Sequence, residues 1–148
     1  YGGSDVSPIA LNAGYEILSA ACLTTAFVLT QRNGACQRIA ACENEELKSE
    51  LLPKLAEGEL FATVGISNLT TSRQHLGRPS VRVTAAGADW IANGTVPWVT
   101  GANRADYVVT GGTLEDGRRV LLALAAYGGA VAFQGSPRLR ARNGARSS

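Results

Sequence analysis

The sequence has few of the residues that build disulfide frameworks, metal sites and membrane spans. Its three cysteines, Cys22, Cys36 and Cys42, are an odd number without C-x-x-C spacing, and His75 is the only histidine. This pattern argues against a disulfide framework and a zinc site, and it is typical of the reducing cytoplasm. The longest apolar stretch, Ile17 to Leu29, contains hydroxyl residues and is shorter than the ~20 residues of a membrane span. No charged segment precedes it, so the stretch does not fit a signal peptide.

Aromatic and charged side chains are also scarce. They make up 6% and 18% of the 148 residues, against 45% for apolar residues, which is the composition of a globular protein. The charges are unevenly divided: residues 1–60 carry four basic and eight acidic groups, and residues 61–148 carry ten basic and four acidic groups. A basic second half suits a polyanionic ligand such as a pyrophosphate, although a solvated arginine tail over residues 138–146 is the alternative. Nucleic acid is not the expected partner, because the sequence has no basic helix and few aromatic residues.

The first 58 residues have the pattern of helices. Ser7-Pro8 predicts a helix start with proline at the first helical position. The Ala- and Leu-rich stretch from Ile9 to about Gln31 predicts one helix that is buried on several sides. Asn33-Gly34 predicts the end of that helix or its join to the next one. Asn44 predicts the cap of a further helix, because Glu45-Glu46 places acidic groups in the first turn.

This further helix is predicted to bury one leucine stripe and to end near a domain boundary. The stripe consists of Leu47, Leu51, Leu52 and Leu55. Pro53 is expected to end or kink the helix, because proline lacks the N–H that bonds back one turn. The pattern changes from helical to alternating after Gly58. We therefore expect one domain over residues 1–58 and another over residues 59–148.

After Gly58 the sequence predicts short strands separated by turns, which is the pattern of an antiparallel β-barrel or sandwich. The fold class expected from the two halves is α+β. The predicted strands cover residues 60–66, 81–85, the region of Trp90, 107–110, 120–125 and 131–134, with a turn at 115–117. Asn93-Gly94 favours a type I′ hairpin turn, because both central residues of such a turn take positive φ. In that hairpin the second strand ends in Trp98-Val99-Thr100, and alternation puts Trp98 and Thr100 on one face.

Three segments of the chain resemble one protein family. Tyr1-Gly2-Gly3 opens the chain, Leu52 to Glu59 reads L-P-K-L-A-E-G-E, and Trp90 to Asp106 reads W-x-x-N-G-x-x-x-W-V-T-x-A-x-x-A-D. All three resemble the acyl-CoA dehydrogenases, the last of them in the middle β-domain of that family. The resemblance implies a fragment that covers part of the N-terminal helical domain and most of the β-domain, without the C-terminal helical domain. The first residue, Tyr1 rather than Met, agrees with that interpretation.

The resemblance implies an FAD-dependent oxidoreductase that desaturates an acyl-CoA thioester between its α and β carbons by hydride transfer to flavin N5. In the family the tryptophan of W-[IV]-T packs on the flavin and the threonine hydrogen-bonds near N5. One wall of the flavin site is therefore expected to consist of Trp98, Val99 and Thr100. The loop from residue 66 to 72 is expected to form the other wall, through Ile66, Ser67, Thr70, Thr71 and Ser72. This loop departs from the family's T-E-P-x-x-G-S-D segment, because it retains hydroxyls but neither the carboxylate nor the glycine.

The same resemblance implies partners and leaves alternatives open. The expected partners are an acyl-CoA substrate, an electron acceptor that is a flavoprotein or oxygen, and further copies of the chain in a homo-oligomer. The family's catalytic base is a glutamate of the C-terminal domain, so no residue of this chain is expected to be catalytic and the fragment alone is expected to be inactive. Asp106 is interpreted as a structural residue at a strand start, and His75 as a solvated or phosphate-side residue. The altered loop favours, as an alternative, a flavin monooxygenase or oxidase of the same fold. A non-catalytic paralogue is a further alternative.

Overall fold

The structure, a computed structural model, describes residues 5–66, 80–86, 89–126, 129–133 and 140–141. Three helices come first: α1 (Pro8–Ala21), α2 (Leu23–Ala40) and α3 (Glu45–Glu57). The strands of the described residues follow as β1 (Ala62–Gly65), β2 (Val81–Ala86), β3 (Asp89–Gly94), β4 (Tyr107–Leu114), β5 (Arg119–Ala125), β6 (Gly129–Phe133) and β7 (Arg140–Ala141). The predicted order of helices before strands is confirmed.

The single helix expected from Ile9 to about Gln31 is instead two helices that meet at Cys22. The start is as predicted, because Pro8 is the first helical residue and the Ser7 side chain accepts a hydrogen bond from the backbone N–H of Ala10 at 3.3 Å. Cys22 then leaves the helical conformation, with φ −156° and ψ 98°. Its N–H donates to Leu18 O at 2.8 Å and closes α1, while its carbonyl accepts from the next helix and opens α2. One residue thus ends the first helix and begins the second.

The second helix does not end at Asn33-Gly34 but continues to Ala40. Glycine inside a helix costs about 1 kcal/mol relative to alanine. Here the residues that follow it, Ala35 and Ile39, are buried in the core, and this burial outweighs the cost. Gly34 also faces β1 closely, because a Cβ on it would lie 3.7 Å from Val64 Cγ1.

The third helix begins as predicted and runs past its proline. Asn44 caps it by accepting a hydrogen bond from Leu47 N at 3.0 Å. All four leucines of the predicted stripe are buried. Each buried leucine contributes about 1.5–3 kcal/mol, so the stripe together outweighs the ~3 kcal/mol cost of Pro53 in a helix interior. The helix therefore ends only at Glu57, and Gly58 follows it in the left-handed conformation with φ 80°. The division into domains at this point stays a prediction.

The strands form one mixed sheet in the order β1-β4-β2-β3-β7-β6-β5, with an additional pairing between β4 and β5. The expectation of a purely antiparallel arrangement is corrected at three pairings, since β1–β4, β2–β4 and β3–β7 are parallel. Strand β1 lies beside the first half of β4 and β2 beside its second half, so one long strand serves two shorter ones. The predicted turn at 115–117 joins β4 to β5 as an antiparallel hairpin.

Two apolar clusters hold these layers together. The helix–strand core lies between α2, α3 and the strands β1 and β4, and its buried members include Ile39, Leu51, Leu55, Val64 and Val109. The sheet core lies among β2, β4 and β5, and its buried members are Val81, Val83, Leu114 and Leu122. Because all four residues of β1 are buried, this strand is covered on both of its faces.

Apolar side chains are also exposed on the first two helices. Helix α1 has no buried residue, and Ile9, Ile17, Leu23 and Phe27 are all more than half exposed. Among the described helices, none is both long and apolar enough to cross a lipid bilayer.

Candidate functional site

Hydrogen bonds of Asp106 join the residues that precede β1 and β4, next to the candidate site. Asp106 donates its N–H to Phe61 O and accepts from Phe61 N through its carboxylate, both at 2.8 Å. Its own carbonyl accepts from Ala126 N, at the end of β5, also at 2.8 Å. These contacts confirm the interpretation of Asp106 as a structural residue, because they fix where three strands begin or end.

The predicted hairpin turn at Asn93-Gly94 is wrong. The two residues lie at the end of β3, where they pair with Arg82 and Val81 of β2, and the β2–β3 connection lies between Ala86 and Asp89. Gly94 is needed for a different reason: a Cβ there would lie 1.9 Å from Ser80 O. The glycine signal was therefore real, but it reports a close backbone approach rather than a tight turn.

Residues 95–99 after this glycine are not a strand, so the expected alternation of Trp98 and Thr100 on one strand face is also wrong. Residues 96–101, which we call the crossing segment, pass over the face of β1 instead. A Cβ on Gly65 would lie 2.8 Å from both Val96 Cγ1 and Val99 Cγ2, so these valines contact the strand where it has no side chain. The hydroxyl of Thr63 donates to the carbonyl of Thr100 at 2.8 Å.

Trp98 is the exposed residue of the crossing segment. Its relative exposure is 85%, so it is not the core tryptophan that an isolated strand end would suggest. Its φ of 55° lies in the left-handed region, which a bulky side chain enters only at a conformational cost. An indole that is both exposed and held in an unfavourable backbone conformation is typical of a residue kept for binding rather than for packing.

Two of the residues predicted for the flavin walls lie near the end of β1. Val99 packs on Gly65, the last residue of β1, and Ile66, which follows Gly65 in the sequence, packs on the helix–strand core. Thr100 lies half-buried at the start of the turn that follows the crossing segment. The remaining predicted wall residues, Ser67, Thr70, Thr71 and Ser72, lie outside the described residues, as does His75.

The polar groups beside the crossing segment suit a flat ring system with a polar edge. The indole of Trp98 offers a stacking face, and the half-buried Thr100 carries a hydroxyl that can donate or accept. Arg104 is exposed on the same turn and adds a positive charge, which suits a phosphate-bearing ligand. In the described part of the chain, no group of three or more His, Cys, Asp or Glu side chains is placed to hold a metal ion.

The side chains whose pKa is shifted lie outside the crossing segment. Burial, with smaller contributions from Glu50 and Asp106, raises the pKa of Tyr107. Hydrogen bonds from Thr25 lower the pKa of the exposed Cys22 thiol, and burial raises the pKa of Cys36. These groups lie on the helices and at the start of β4. What the described part of the site offers is therefore stacking and hydrogen bonding.

Sequence reasoning missed the residues that hold the crossing segment in place. Thr63 and Gly65 lie within the predicted strand, on its face toward this segment, while Ala62 and Val64 belong to the helix–strand core. The available signal was the alternation itself: a hydroxyl and a glycine occur at every second position of a strand that is otherwise apolar.

Comparison with known proteins identifies the fold. Residues 1–59 match the family model of the acyl-CoA dehydrogenase N-terminal domain. The glutaryl-CoA dehydrogenase from Mycobacterium smegmatis is 22% identical with a TM-score of 0.73 over 83% of this chain and 32% of its own. A glutaryl-CoA dehydrogenase from the same organism, in complex with FADH2, is 25% identical with a TM-score of 0.60 over 70% of this chain and 26% of its own. The acyl-CoA dehydrogenase from Geobacillus kaustophilus is 20% identical with a TM-score of 0.68 over 86% of this chain and 35% of its own.

The chain thus has the fold of the N-terminal helical and middle β regions of the acyl-CoA dehydrogenases, and the resemblance to that family is confirmed. It spans about a third of the length of these solved structures.

Proposed function

We propose that this chain forms the flavin-binding part of an FAD-dependent oxidoreductase of the acyl-CoA dehydrogenase type. The observation that carries the proposal is Trp98, which is 85% exposed at φ 55° although Val96 and Val99, before and after it, contact Gly65 of β1. A fold shared with acyl-CoA dehydrogenases, one of them in complex with FADH2, supports FAD as the ring system that this indole meets. When bound, FAD supplies hydride acceptance during α,β-dehydrogenation of an acyl-CoA thioester.

The residues of the crossing segment take separate roles in this proposal. Trp98 stacks on the isoalloxazine, since an aromatic face covers a flat ring most effectively. Thr100 hydrogen-bonds the polar edge of the ring, and Val99 fixes the wall to β1 by packing on Gly65. Ile66 begins the opposite wall, with Ser67, Thr70, Thr71 and Ser72 supplying hydroxyls and backbone amides to the flavin edge and its phosphates.

The remaining roles also belong to the proposal. The substrate is an acyl-CoA, the electron acceptor is a flavoprotein or oxygen, and the base that removes the α-proton lies outside this chain.

We further propose that the protein acts in the cytoplasm and forms a homo-oligomer. The exposed apolar side chains of α1 and α2 support the homo-oligomer, because they offer an apolar surface for an interface. Sedimentation over a range of concentrations tests the oligomer, and a protein that stays monomeric at every concentration would refute it.

The two tryptophans give a direct test of the flavin wall, because Trp90 and Trp98 are the only ones in the chain. Trp90 is half-buried against the sheet core and serves as the matched control. In the W90F variant, FAD should quench the fluorescence of Trp98 strongly, whereas in W98F it should quench Trp90 only weakly. Loss of stacking in Trp98→Ala should weaken FAD binding by about 2- to 10-fold. Equal affinities of wild type and W98A for FAD would refute the role of Trp98.

A second experiment separates dehydrogenation from its alternatives. A longer protein that carries this chain together with the proposed catalytic base is purified, reconstituted with FAD and titrated anaerobically with saturated acyl-CoAs, while the visible flavin absorbance is followed. Bleaching supports the dehydrogenase, and the most effective chain length defines the substrate class. A yellow protein that does not bleach favours a monooxygenase or oxidase of the same fold, which the altered loop at residues 66–72 supports. A protein that stays colourless with added FAD favours a non-catalytic paralogue.

A further inference from the structure

Two threonine hydroxyls are buried where β1 and β4 meet. The relative exposure of Thr63 is 0% and that of Thr110 is 2%. Valine has the same shape and would fill either position without a polar atom. A hydroxyl at such a position costs stability unless it is hydrogen-bonded, so each of them needs a partner.

Both hydroxyls donate to backbone carbonyls that border the proposed flavin site. Thr63 Oγ1 donates to Thr100 O at 2.8 Å, and Thr110 Oγ1 donates to Gly65 O at 2.6 Å. Thr100 lies two residues after Trp98 in the crossing segment, and Gly65 directly precedes Ile66. One hydrogen bond thus reaches the segment that carries Trp98, and the other reaches the last residue of β1.

The position of the crossing segment is expected to depend on the hydrogen bond from Thr63 to Thr100 O. Residues 95–99 are not part of a strand, and Thr95 N donates to Ser80 O at 3.1 Å just before the crossing segment begins. The turn that follows is closed by its own short-range bonds, from Ala102 N to Val99 O at 3.3 Å and from Arg104 N to Gly101 O at 2.9 Å. These bonds shape the turn locally, whereas the Thr63 hydroxyl ties it to a strand 37 residues earlier in the chain.

We propose that Thr63 is a positioning residue for the flavin wall: through the carbonyl of Thr100 it holds the indole of Trp98 at a fixed place over β1. Thr110 holds the carboxyl end of β1 through the carbonyl of Gly65. The inference rests on the proposed function in one respect, that the ligand is FAD. The claim that Thr63 orders Trp98 stands on the geometry alone.

The test uses the W90F background, in which Trp98 is the single tryptophan. Steady-state anisotropy and acrylamide quenching of Trp98 measure its order without ligand, and FAD titration measures binding. Thr63→Val removes the hydroxyl and keeps the shape, Thr63→Ser keeps the hydroxyl, and Thr113→Val removes a hydroxyl further along β4 as a matched control. We expect T63V to lower the anisotropy, raise acrylamide quenching and weaken FAD binding by about 5-fold, in line with one lost hydrogen bond. T63S should restore all three quantities, and T113V should leave them unchanged.

The outcomes separate the two proposals. Anisotropy that is equal in T63V and its parent overturns the positioning role, whatever happens to FAD. Failure of T63S to restore the anisotropy also overturns it, because the effect would then come from packing rather than from the hydroxyl. If the parent binds no FAD, the proposed function fails, while a lowered anisotropy in T63V still supports the positioning role. Should T63V fail to fold, Thr63→Cys, with a weaker donor of similar size, takes its place and should give intermediate values.

Discussion

The left-handed backbone of Trp98 leads to a stability order that is the reverse of the usual one. At most positions alanine is more stable than glycine, because glycine loses more backbone freedom on folding, by about 0.4–1 kcal/mol. At φ 55° the comparison changes, since a residue with a Cβ pays about 1–2 kcal/mol in this conformation and glycine does not. We therefore expect Trp98→Gly to be more stable than Trp98→Ala by about 0.5–1 kcal/mol.

Loss of the indole itself should have a small effect on stability. Since Trp98 is 85% exposed, its side chain buries little apolar surface. Truncation therefore costs only about 1 kcal/mol at ~25 cal/mol per Å². For Trp98→Gly, this loss is offset by the relief of the left-handed strain. The free energy of unfolding of W98G should then lie within about 1 kcal/mol of that of the wild type, although its affinity for FAD falls.

Denaturant unfolding of four variants checks this reasoning. Trp90 is the matched control, because it lies in β3 opposite Ala85 and its backbone is extended. At Trp90 the usual order should hold, with W90A more stable than W90G by about 0.5–1 kcal/mol. Both Trp90 variants should also lose about 2–4 kcal/mol, because this side chain packs on the sheet core. If W98A proves more stable than W98G, the strain assigned to Trp98 is absent and the case for a residue kept for binding is weakened.

Three further predictions concern the junctions of the fold. Gly65→Ala should lower the free energy of unfolding by about 1–3 kcal/mol, because its Cβ would lie 2.8 Å from two valines of the crossing segment; an unchanged denaturation midpoint would contradict that packing. Asp106→Ala should cost about 1.5–3 kcal/mol by leaving Phe61 N without its carboxylate partner, and Asp106→Asn should cost less in the same unfolding assay. Because Thr25 lowers the pKa of Cys22, this thiol should react with iodoacetamide fastest of the three cysteines, and Thr25→Val should move its rate–pH profile to higher pH. An unmoved profile would show that the Thr25 hydroxyl does not stabilise the thiolate.

Local signals in the sequence predicted those features whose causes are local. The cap at Asn44 and the start at Ser7-Pro8 depend on a side chain and a backbone only a few residues apart, so their pattern is sufficient. The leucine stripe of α3 and the turn at residues 115–117 follow from periodicity in the same way. These elements fix the α-then-β order of the fold.

The local predictions were wrong where contacts between residues distant in the sequence determine the structure. Gly34 did not end its helix, because the strand that packs against it lies 30 residues later in the sequence. Pro53 did not end its helix either, because the energy of the buried leucines exceeds the local cost. Gly94 was assigned to a turn, since nothing local shows that it lies against Ser80.

The geometry of the candidate site depends on distant contacts as well. The resemblance selected Trp98, Val99 and Thr100, but the strand predicted for them is absent, because residues 95–99 are not part of a strand. Their anchors, Thr63 and Gly65, lie more than 30 residues earlier, so no local pattern could connect them to the wall. Long-range connections of this kind become visible only once the parallel pairing of β1 with β4 is known.

Only strand β1 lies between helix α2 and the crossing segment, and this has an evolutionary consequence. Gly34 and Val64 meet on one side of it, and Gly65 and Val99 meet on the other. A larger residue on either side has no solvent-facing surface into which the strand could shift. Homologous chains should therefore conserve the summed side-chain volume of each pair rather than the individual residues, so that a residue larger than glycine at position 65 accompanies one smaller than valine at position 99.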